Sequence, residues 1–182
     1  MWTSSPVVFL LPLLLVAVRA GAECPTGFFS ALDGCFLVGE QEGGGPTNLG
    51  WQAARDRCTA LFRGGWTIDL ATFDSVAQLE SVSQSWAVIG GSFDYEYPYM
   101  WVGIHKVGDQ FLGVDGKSVS SSSYIWQVAH PRLENQFVYL DDVTLSTGQN
   151  SFGRLYAVSS PSTVVRRYMC RATSSPAPAS NS

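Results

Sequence analysis

The chain has 182 residues, of which 46% are apolar, 13% aromatic and 14% charged. This composition excludes a disordered chain, which would hold few aromatic and many charged residues, and the length allows one domain. Fifteen acidic against eleven basic side chains give a net charge of −4, so nothing favours a nucleic-acid partner, which would call for a clustered basic face. No apolar run reaches the roughly 20 residues that a membrane-spanning helix needs.

The first residues have the pattern of a secretory leader. The apolar run over 7–18 is interrupted only by Pro12 and is followed by the small residues Ala20-Gly21-Ala22, a sequence that signal peptidase accepts. No Lys or Arg precedes the apolar run, which departs from the usual leader. The pattern predicts a signal peptide over 1–22 and a secreted, extracellular product without a membrane span.

Secretion changes what the cysteines imply. Cys24, Cys35, Cys58 and Cys170 are even in number, and an oxidising compartment favours their pairing. The chain has no Cys-x-x-Cys pair and its two histidines are far apart in sequence, so disulfides are favoured over a structural zinc site. Four cysteines allow three pairings.

The first predicted element is a β-hairpin that begins near Cys24. Asp33-Gly34 is a strong turn signal with apolar residues on both sides. The two arms of this hairpin would bring Cys24 and Cys35 close enough to bridge. The run Gly43-Gly44-Gly45-Pro46 predicts a flexible break after it.

A first helix is predicted over 48–62 and ends at Gly64-Gly65. Its apolar face carries residues at helical spacing: Trp51, Ala54, Cys58 and Leu61. A second helix begins at the capping-box pattern Ser75-x-x-Gln78 and ends at Gly90-Gly91. Its apolar stripe is formed by Val76, Leu79, Val82, Trp86 and Ile89.

The remainder of the chain predicts short strands joined by long loops. The strand candidates are 101–104, 111–114, a segment from 118, 137–140, 154–158 and 164–169, and Asp115-Gly116 is a second hairpin signal. A bond between Cys58 and Cys170 would tie the first helix to the last strand and close nearly the whole domain. The tail over 172–182 consists mostly of Ser, Pro and Ala and is expected to be disordered. Two early helices followed by strands predict an α+β domain.

In this order and spacing, the motifs resemble those of a C-type lectin-like domain. The resemblance covers Cys24 to Cys170 and rests on Cys24-Pro25-x-Gly27-Phe28 with Cys35, Trp51-x-x-Ala54-x-x-x-Cys58, Leu70-Ala71, Trp101-Val102-Gly103-Ile104, Asp115-Gly116, Trp126 and Tyr168-Met169-Cys170. It implies a domain over 23–171 with two helices, short antiparallel sheets and a long loop region. It also fits the disulfides Cys24–Cys35 and Cys58–Cys170.

The sequence departs from this family at the positions that bind calcium and sugar. The family's calcium-dependent sugar binders carry Glu-Pro-Asn or Gln-Pro-Asp after the equivalent of Trp126, and Trp-Asn-Asp before the last strands. Here the first place holds His130-Pro131-Arg132 and the second lies near Ser159-Ser160-Pro161. His and Arg are poor ligands for calcium, which takes six to eight oxygen ligands. We therefore expect that the standard calcium-mediated sugar site is lost and that no cofactor is bound.

A second departure concerns the disulfide that the family usually places in its long loop region. The corresponding stretch, 152–163, contains no cysteine. We expect packing alone to hold these loops, and Phe152, Leu155 and Tyr156 are the residues that would supply it.

Three groups of residues are candidates for a binding site. Glu134, Asn135, Asp141 and Asp142 fall in the long loop region, where they would form either a shifted calcium site or a solvated acidic loop. His130, Pro131 and Arg132 occupy the family's binding position, and the Arg fork suits a carboxylate or sulfate; the alternative is an exposed loop without a ligand.

The third candidate is the aromatic segment over 93–101, in which Tyr95, Tyr97 and Tyr99 alternate with other residues. On one face of an extended segment these rings would suit sugar stacking or a protein partner. Alternatively they pack on the second helix or in the core, which we expect of Trp101 in particular.

The functional prediction follows from the resemblance, which is fold-level analogy. It implies a secreted recognition protein that binds a glycan or a microbial surface in innate defence, without the standard calcium site. The alternative is a calcium-independent module that binds a protein on a cell or microbial surface. The chain has no Gly-x-Ser-x-Gly, no His-Glu-x-x-His and no glycine-rich phosphate loop, so it is not expected to be an enzyme.

Overall fold

The computed structural model of the protein describes residues 23–40, 49–88, 99–141, 153–159, 165 and 167–174. Within these ranges it contains two helices, α1 (Trp51–Thr59) and α2 (Val76–Val88). The strands there are β1 (Phe29–Ala31), β2 (Gly34–Glu40), β3 (Trp66–Leu70), β4 (Tyr99–Val107), β5 (Gln110–Gly113), β6 (Ser118–Val119), β7 (Phe137–Asp141), β8 (Arg154–Val158) and β9 (Arg167–Ser174). The leader predicted over 1–22 and the break predicted over 43–46 lie outside the described residues.

The predicted hairpin is formed by β1 and β2, but its turn lies one residue earlier than expected. Ala31 pairs with Gly34, so the two turn residues are Leu32 and Asp33, and Gly34 already belongs to β2. Leu32 has a φ of +48°, a conformation that side-chain-bearing residues adopt at a steric cost. Gly34 was expected in the turn, yet its place is in the strand.

Helix α1 is shorter than predicted. It begins at Trp51 and ends at Thr59, because the N–H of Leu61 bonds to the Cys58 carbonyl and tightens the last turn. The predicted inner face is confirmed, since Trp51, Ala54 and Cys58 are buried. The indole N–H of Trp51 donates to the Val102 carbonyl at 2.8 Å and fixes the helix on β4.

Helix α2 starts where the capping pattern predicts. The N–H of Gln78 donates to Ser75 Oγ at 3.1 Å, while Gln78 Oε1 accepts from the N–H of Asp74 at 3.0 Å. The return bond therefore reaches one residue further back than in the standard capping box. Leu79 and Val82 are buried as expected, whereas Ile89 and Gly90-Gly91 lie outside the described residues.

The nine strands of the described ranges form one connected sheet. Its main path runs β1-β2-β9-β4-β5-β6, with β3 also paired to β9, and with β7 placed between β4 and β8. The strands pair antiparallel, as expected, except that β4 and β9 run parallel, which makes the sheet mixed. The α+β class is confirmed.

Strand β9 is the central strand of this sheet and is longer than predicted. One of its edges pairs with β2, and the other pairs with β3 and β4. It begins at Arg167 rather than 164, and it continues to Ser174, which pairs with Trp66 of β3. The expectation that the disordered tail begins at 172 is therefore wrong for residues 172–174. Strand β3 was missed, since only its end, Leu70, had been noted.

The sheet separates two hydrophobic cores. Met100, Val102 and Ile104 alternate with Trp101 along β4, so the two sets point to opposite faces. The face of Met100 belongs to the core that contains Leu79 and Val82 of α2. The face of Trp101 belongs to the core of α1, which gathers most of the rings described below.

Both predicted disulfides are present. Cys24 is bonded to Cys35 and Cys58 to Cys170. The first ties the start of the described chain to β2, and the second ties α1 to β9. Among the described residues, no helix is long and apolar enough to cross a membrane.

Candidate functional site

The long loop between β6 and β7, residues 120–136, is held along the outer edge of β8. The Leu155 N–H donates to the Ile125 carbonyl, and the Gln127 N–H donates to the Leu155 carbonyl, both at 3.0 Å. Two residues of the loop, Ile125 and Trp126, are buried. The Trp126 indole N–H donates to the Ser120 carbonyl. The loop backbone thus makes the hydrogen bonds to Leu155 that a neighbouring strand would make.

Two predicted ligand residues complete this cover of β8. His130 Nδ1 accepts the Ala157 N–H at 3.2 Å, and Asn135 Nδ2 donates to the Ala157 carbonyl at 2.5 Å. The His130 ring also packs on Tyr156, with 5.0 Å between the ring centroids. Asn135 is buried. These side chains bond the protein backbone and position the loop between them.

The charged side chains between these two anchors face solvent. Arg132 and Glu134 are exposed, and Leu133 between them is 60% exposed. The His130–Pro131 peptide bond is cis. On the inner side, Lys106 Nζ donates to the Leu133 carbonyl, and the Lys106 N–H donates to the Gln136 carbonyl at 2.8 Å.

The loop and the end of β4 enclose a cleft of about 410 Å³. Its lining is Lys106, Gly108, Leu133, Glu134, Gln136 and Phe137. It therefore offers an ammonium, a carboxylate and an amide. The Phe137 ring packs on Trp51 of the α1 core, with 5.6 Å between the ring centroids. A larger cleft of about 690 Å³ lies beside the β1–β2 hairpin, and none of the predicted ligand residues lines it.

Tyr99 lies in a cluster of tyrosines around Asp141, on the same face of the sheet as Trp101. Its ring centroid is 4.6 Å from that of Tyr139, which in turn lies 5.3 Å from that of Tyr156. Tyr99 and Tyr156 are half-buried. We refer to Tyr99, Tyr139, Tyr156 and Asp141 as the tyrosine cluster.

Burial dominates the electrostatics of the tyrosine cluster. Asp141 is only 6% exposed, and this burial raises the pKa of its carboxyl to about 6, although a hydrogen bond from the Tyr156 hydroxyl opposes the shift. Among the described residues, Asp141 Oδ1 has no hydrogen-bond partner. Burial together with Asp141 raises the pKa of Tyr156 to about 12 and raises the pKa of Tyr99. All three tyrosines are therefore neutral donors near pH 7.

Glu134 and Asp141, two acidic residues of the predicted calcium site, do not meet. Glu134 precedes β7, whereas Asp141 ends it, and the strand between 137 and 141 alone spans roughly 14 Å. Asn135 uses its amide on the backbone of β8. Among the described residues no group of three or more His, Cys, Asp or Glu side chains could hold a metal ion. Asp142 lies outside those residues.

The aromatic segment is only partly described. Tyr95 and Tyr97 lie outside the described residues, while Tyr99 opens β4. Trp101 is fully buried and donates its indole N–H to the Leu49 carbonyl at 2.5 Å. The expectation that Trp101 belongs to the core is confirmed.

Four residues of the cleft and the tyrosine cluster were not predicted from the sequence: Lys106, Gln136, Phe137 and Tyr139. Tyr156 was expected only to pack. Lys106 is 30 positions from Gln136 in sequence, and their contact arises from pairing of β4 with the chain that enters β7. Alternation along 137–141 would have placed Phe137, Tyr139 and Asp141 on one face.

No protein-family model matches the chain, and no curated protein matches it in sequence. Solved structures do resemble it. The C-type lectin CEL-I from Cucumaria echinata aligns with a TM-score of 0.57 at 20% identity, covering 84% of this chain and 99% of that one. Human lithostathine aligns with a TM-score of 0.56 at 19% identity, covering 94% and 100%.

A calcium-independent type II antifreeze protein also aligns, with a TM-score of 0.52 at 17% identity, covering 84% of this chain and 95% of that one. At such identities the likeness concerns the fold. The chain has a C-type lectin-like fold, as the sequence resemblance predicted. Named among these neighbours are a C-type lectin and an antifreeze protein.

Proposed function

We propose that this chain, with its C-type lectin-like fold, is a secreted recognition protein that binds glycans without calcium, through the cleft between β4 and the long loop. The observation that carries the proposal is the lining of that cleft. Lys106, Glu134 and Gln136 surround it with polar groups. Its volume of about 410 Å³ falls in the usual range for small-molecule sites, roughly 300–1,000 Å³.

The polar groups of the cleft match the chemistry of sugar hydroxyls. A hydroxyl both donates and accepts hydrogen bonds, and the cleft offers the Glu134 carboxylate as acceptor, the Gln136 amide as both, and Lys106 as donor. One of the three Lys106 donors bonds the Leu133 carbonyl, which leaves two for a ligand.

Calcium has no part in the proposed binding because the candidate ligand residues do not come together. Glu134 and Asp141 are at opposite ends of β7, and His130 and Asn135 bond the backbone of β8. Arg132, at the family's binding position, carries a charge that repels a cation. A sugar would then be bound by side chains directly.

Secretion and an extracellular site of action are part of the same proposal. The leader pattern over 1–22 supports them, and so do the two disulfides, which persist in oxidising compartments. The ligand would be a glycan on a microbial or host surface, and a role in innate defence follows by analogy with the fold.

The alternative is a protein ligand, and one observation favours it. The long loop exposes three large apolar side chains: Tyr124 is 87%, Val128 86% and Leu133 60% exposed. Exposed tyrosine and aliphatic side chains beside an arginine are typical of protein interfaces. Loss of cell binding on Leu133→Ser and Val128→Ser, without any glycan signal, would support this alternative.

The test is binding of the mature protein, residues 23–182, to a glycan array in 2 mM calcium (about the extracellular level) and in excess EDTA. We expect the same signals in both buffers. Glu134→Gln and Lys106→Met should each weaken binding by about ten- to a hundredfold, the effect of losing one hydrogen bond to a charged group. Asp33→Asn is the matched control, because the exposed Asp33 lines only the hairpin cleft.

Three results would contradict the proposal. Binding that disappears in EDTA would restore a calcium site. No glycan signal in either buffer would leave the protein-binding alternative. Binding that responds to Asp33→Asn but not to Glu134→Gln would move the site to the hairpin cleft.

A further inference from the structure

The outer edge of β8 is covered at Ala157 by two side chains rather than by a strand. The backbone of Leu155 bonds the backbone of Ile125 and Gln127, whereas the N–H of Ala157 bonds His130 Nδ1. An uncovered strand edge leaves N–H and C=O groups without partners. His130 Nδ1 therefore takes the place of the backbone carbonyl that a neighbouring strand would supply as hydrogen-bond acceptor.

An imidazole can accept this hydrogen bond in only one protonation state. Nδ1 accepts a hydrogen bond when it carries no proton, and in the imidazolium both nitrogens are donors. Protonation of His130 would set an N–H against the Ala157 N–H. The hydrogen bond would then become a repulsive contact between two donors.

We propose that His130 is a positioning residue that holds the loop segment 130–134 on β8 at neutral pH and releases it in acid. The cleft depends on this segment, because Leu133 and Glu134 are part of its lining. Acid release would therefore lower the affinity for a ligand in the cleft. That last step rests on the proposed function, whereas the release of the loop does not.

The groups that face His130 agree with this assignment. On its own loop, Arg132 opposes a positive charge on the His130 ring, and Glu134 favours one. On β8 the ring faces Tyr156. The Tyr156 hydroxyl donates to Asp141 of β7. Burial first, and then Arg132, lower the pKa of His130 below its ordinary value. The ring is nevertheless half-exposed, so solvent protons can reach it.

The experiment measures amide hydrogen exchange in the 15N-labelled mature protein, without any ligand. The protection of Ala157 is divided by that of Leu155, whose partner is the non-titrating Ile125 carbonyl. Intrinsic exchange rates are corrected for pH. Between pH 7.5 and 5 we expect the ratio to fall about three- to tenfold, the effect of one lost hydrogen bond.

Two variants separate the imidazole from a general acid effect. His130→Gln supplies an amide oxygen that can accept the same N–H without titrating, so its ratio should not change with pH. His105→Gln is the matched control, because His105 is the only other histidine of the chain. Its ring contacts Trp51 of α1. This variant should behave as the parent protein does.

Three outcomes would overturn the release of the loop: a constant ratio over the range in which His130 titrates, a fall that persists in His130→Gln, or a fall that is abolished in His105→Gln. If His130→Gln does not fold, the midpoint of the ratio in the parent protein is compared with the NMR titration of the His130 ring. Different midpoints would likewise overturn it.

The link to binding is tested separately, with the glycan that the array identifies. Its affinity should fall at pH 5 for the parent protein and not for His130→Gln. An unchanged affinity alongside a changed exchange ratio would overturn the link and leave the release intact. An array without any signal would contradict the proposed function alone.

Discussion

Asp141 shows how one buried side chain sets the chemistry of its surroundings. It ends β7, pairs with Tyr99 across the sheet, and receives a hydrogen bond from the Tyr156 hydroxyl. Its second oxygen has no hydrogen-bond partner in the part of the chain that the structure describes. A buried carboxylate with an unsatisfied oxygen costs free energy when it is ionised, which is the physical cause of its raised pKa.

This raised pKa leads to a pH-dependent prediction for Asp141→Asn. The pKa of Asp141 is about 6 in the folded state against 3.8 as the ordinary value, so the folded state binds the proton more tightly and the free energy of unfolding falls as pH rises from 4 through 6. The amide carries no charge and can still accept from Tyr156. At pH 7.5 the variant should be more stable than the parent, by up to roughly 3 kcal/mol.

Urea unfolding of both proteins at pH 7.5 and pH 4 measures this difference. The advantage of the variant should be largest at pH 7.5 and nearly absent at pH 4. Asp33→Asn, on an exposed turn, is the control and should change little at either pH. A variant that is less stable than the parent at both pH values would show that the ionised carboxylate is stabilising.

At the scale of elements, the start of α2 combines a local signal with a tertiary one. Ser75 caps the Gln78 N–H, and the neighbouring Asp74 accepts from Lys117 and Arg171, both at 2.5 Å. Arg171 also donates to the Thr72 carbonyl. The helix terminus is thus joined to the β5–β6 turn and to β9.

Ser75→Ala should destabilise the protein by about 1 kcal/mol, because the Gln78 N–H loses its acceptor. Thermal or urea unfolding measures the change. Ser85→Ala within α2 is the control and should stay within about 0.5 kcal/mol of the parent. Equal effects of the two substitutions would mean that the cap contributes nothing.

The crossing of β4 over the end of β3 depends on a glycine. A Cβ on Gly103 would lie 2.4 Å from the Leu70 carbonyl oxygen and 2.9 Å from Val114 Cγ2. The Gly103 N–H meanwhile bonds the Ala71 carbonyl at 2.7 Å. The two backbones approach more closely than any side chain allows.

Gly103→Ala should therefore cost about 2–4 kcal/mol, since backbone must move to relieve the overlap. Gly64→Ala is the matched control, because nothing lies within 4 Å of its added Cβ. Both are compared by urea unfolding of the purified variants. A Gly103→Ala protein as stable as Gly64→Ala would contradict this close approach.

At the scale of the whole molecule, the two disulfides differ in what they constrain. Cys58–Cys170 joins residues 112 positions apart, whereas Cys24–Cys35 joins residues 11 apart. A longer closed loop removes more entropy from the unfolded chain. The long bridge also connects α1 to the central strand β9.

Removal of the long bridge by Cys58→Ala with Cys170→Ala should cost about 5 kcal/mol, and removal of the short one by Cys24→Ala with Cys35→Ala about 3 kcal/mol, in the chain-entropy account. Unfolding midpoints of the two double variants give the comparison. A larger loss from the short bridge would show that local packing, and not loop closure, determines the effect.

Local patterns in the sequence determined the helices and the hairpins and placed Cys24 near Cys35, because spacing, caps and turn residues act within a few positions. They also predicted that calcium ligands are missing at His130-Pro131-Arg132. They failed where long-range pairing decides: β3 and the end of β9 at Ser174 exist because each satisfies the other's backbone.

The tertiary structure alone decided what the candidate side chains do. His130 and Asn135 have the polar atoms of ligand residues, yet both bond the Ala157 backbone of β8. Lys106 and Glu134 are far apart in sequence and line one cleft. A polar side chain is taken up by the protein itself where the fold leaves a backbone N–H or C=O group without a strand partner. The residue type does not determine where such groups occur.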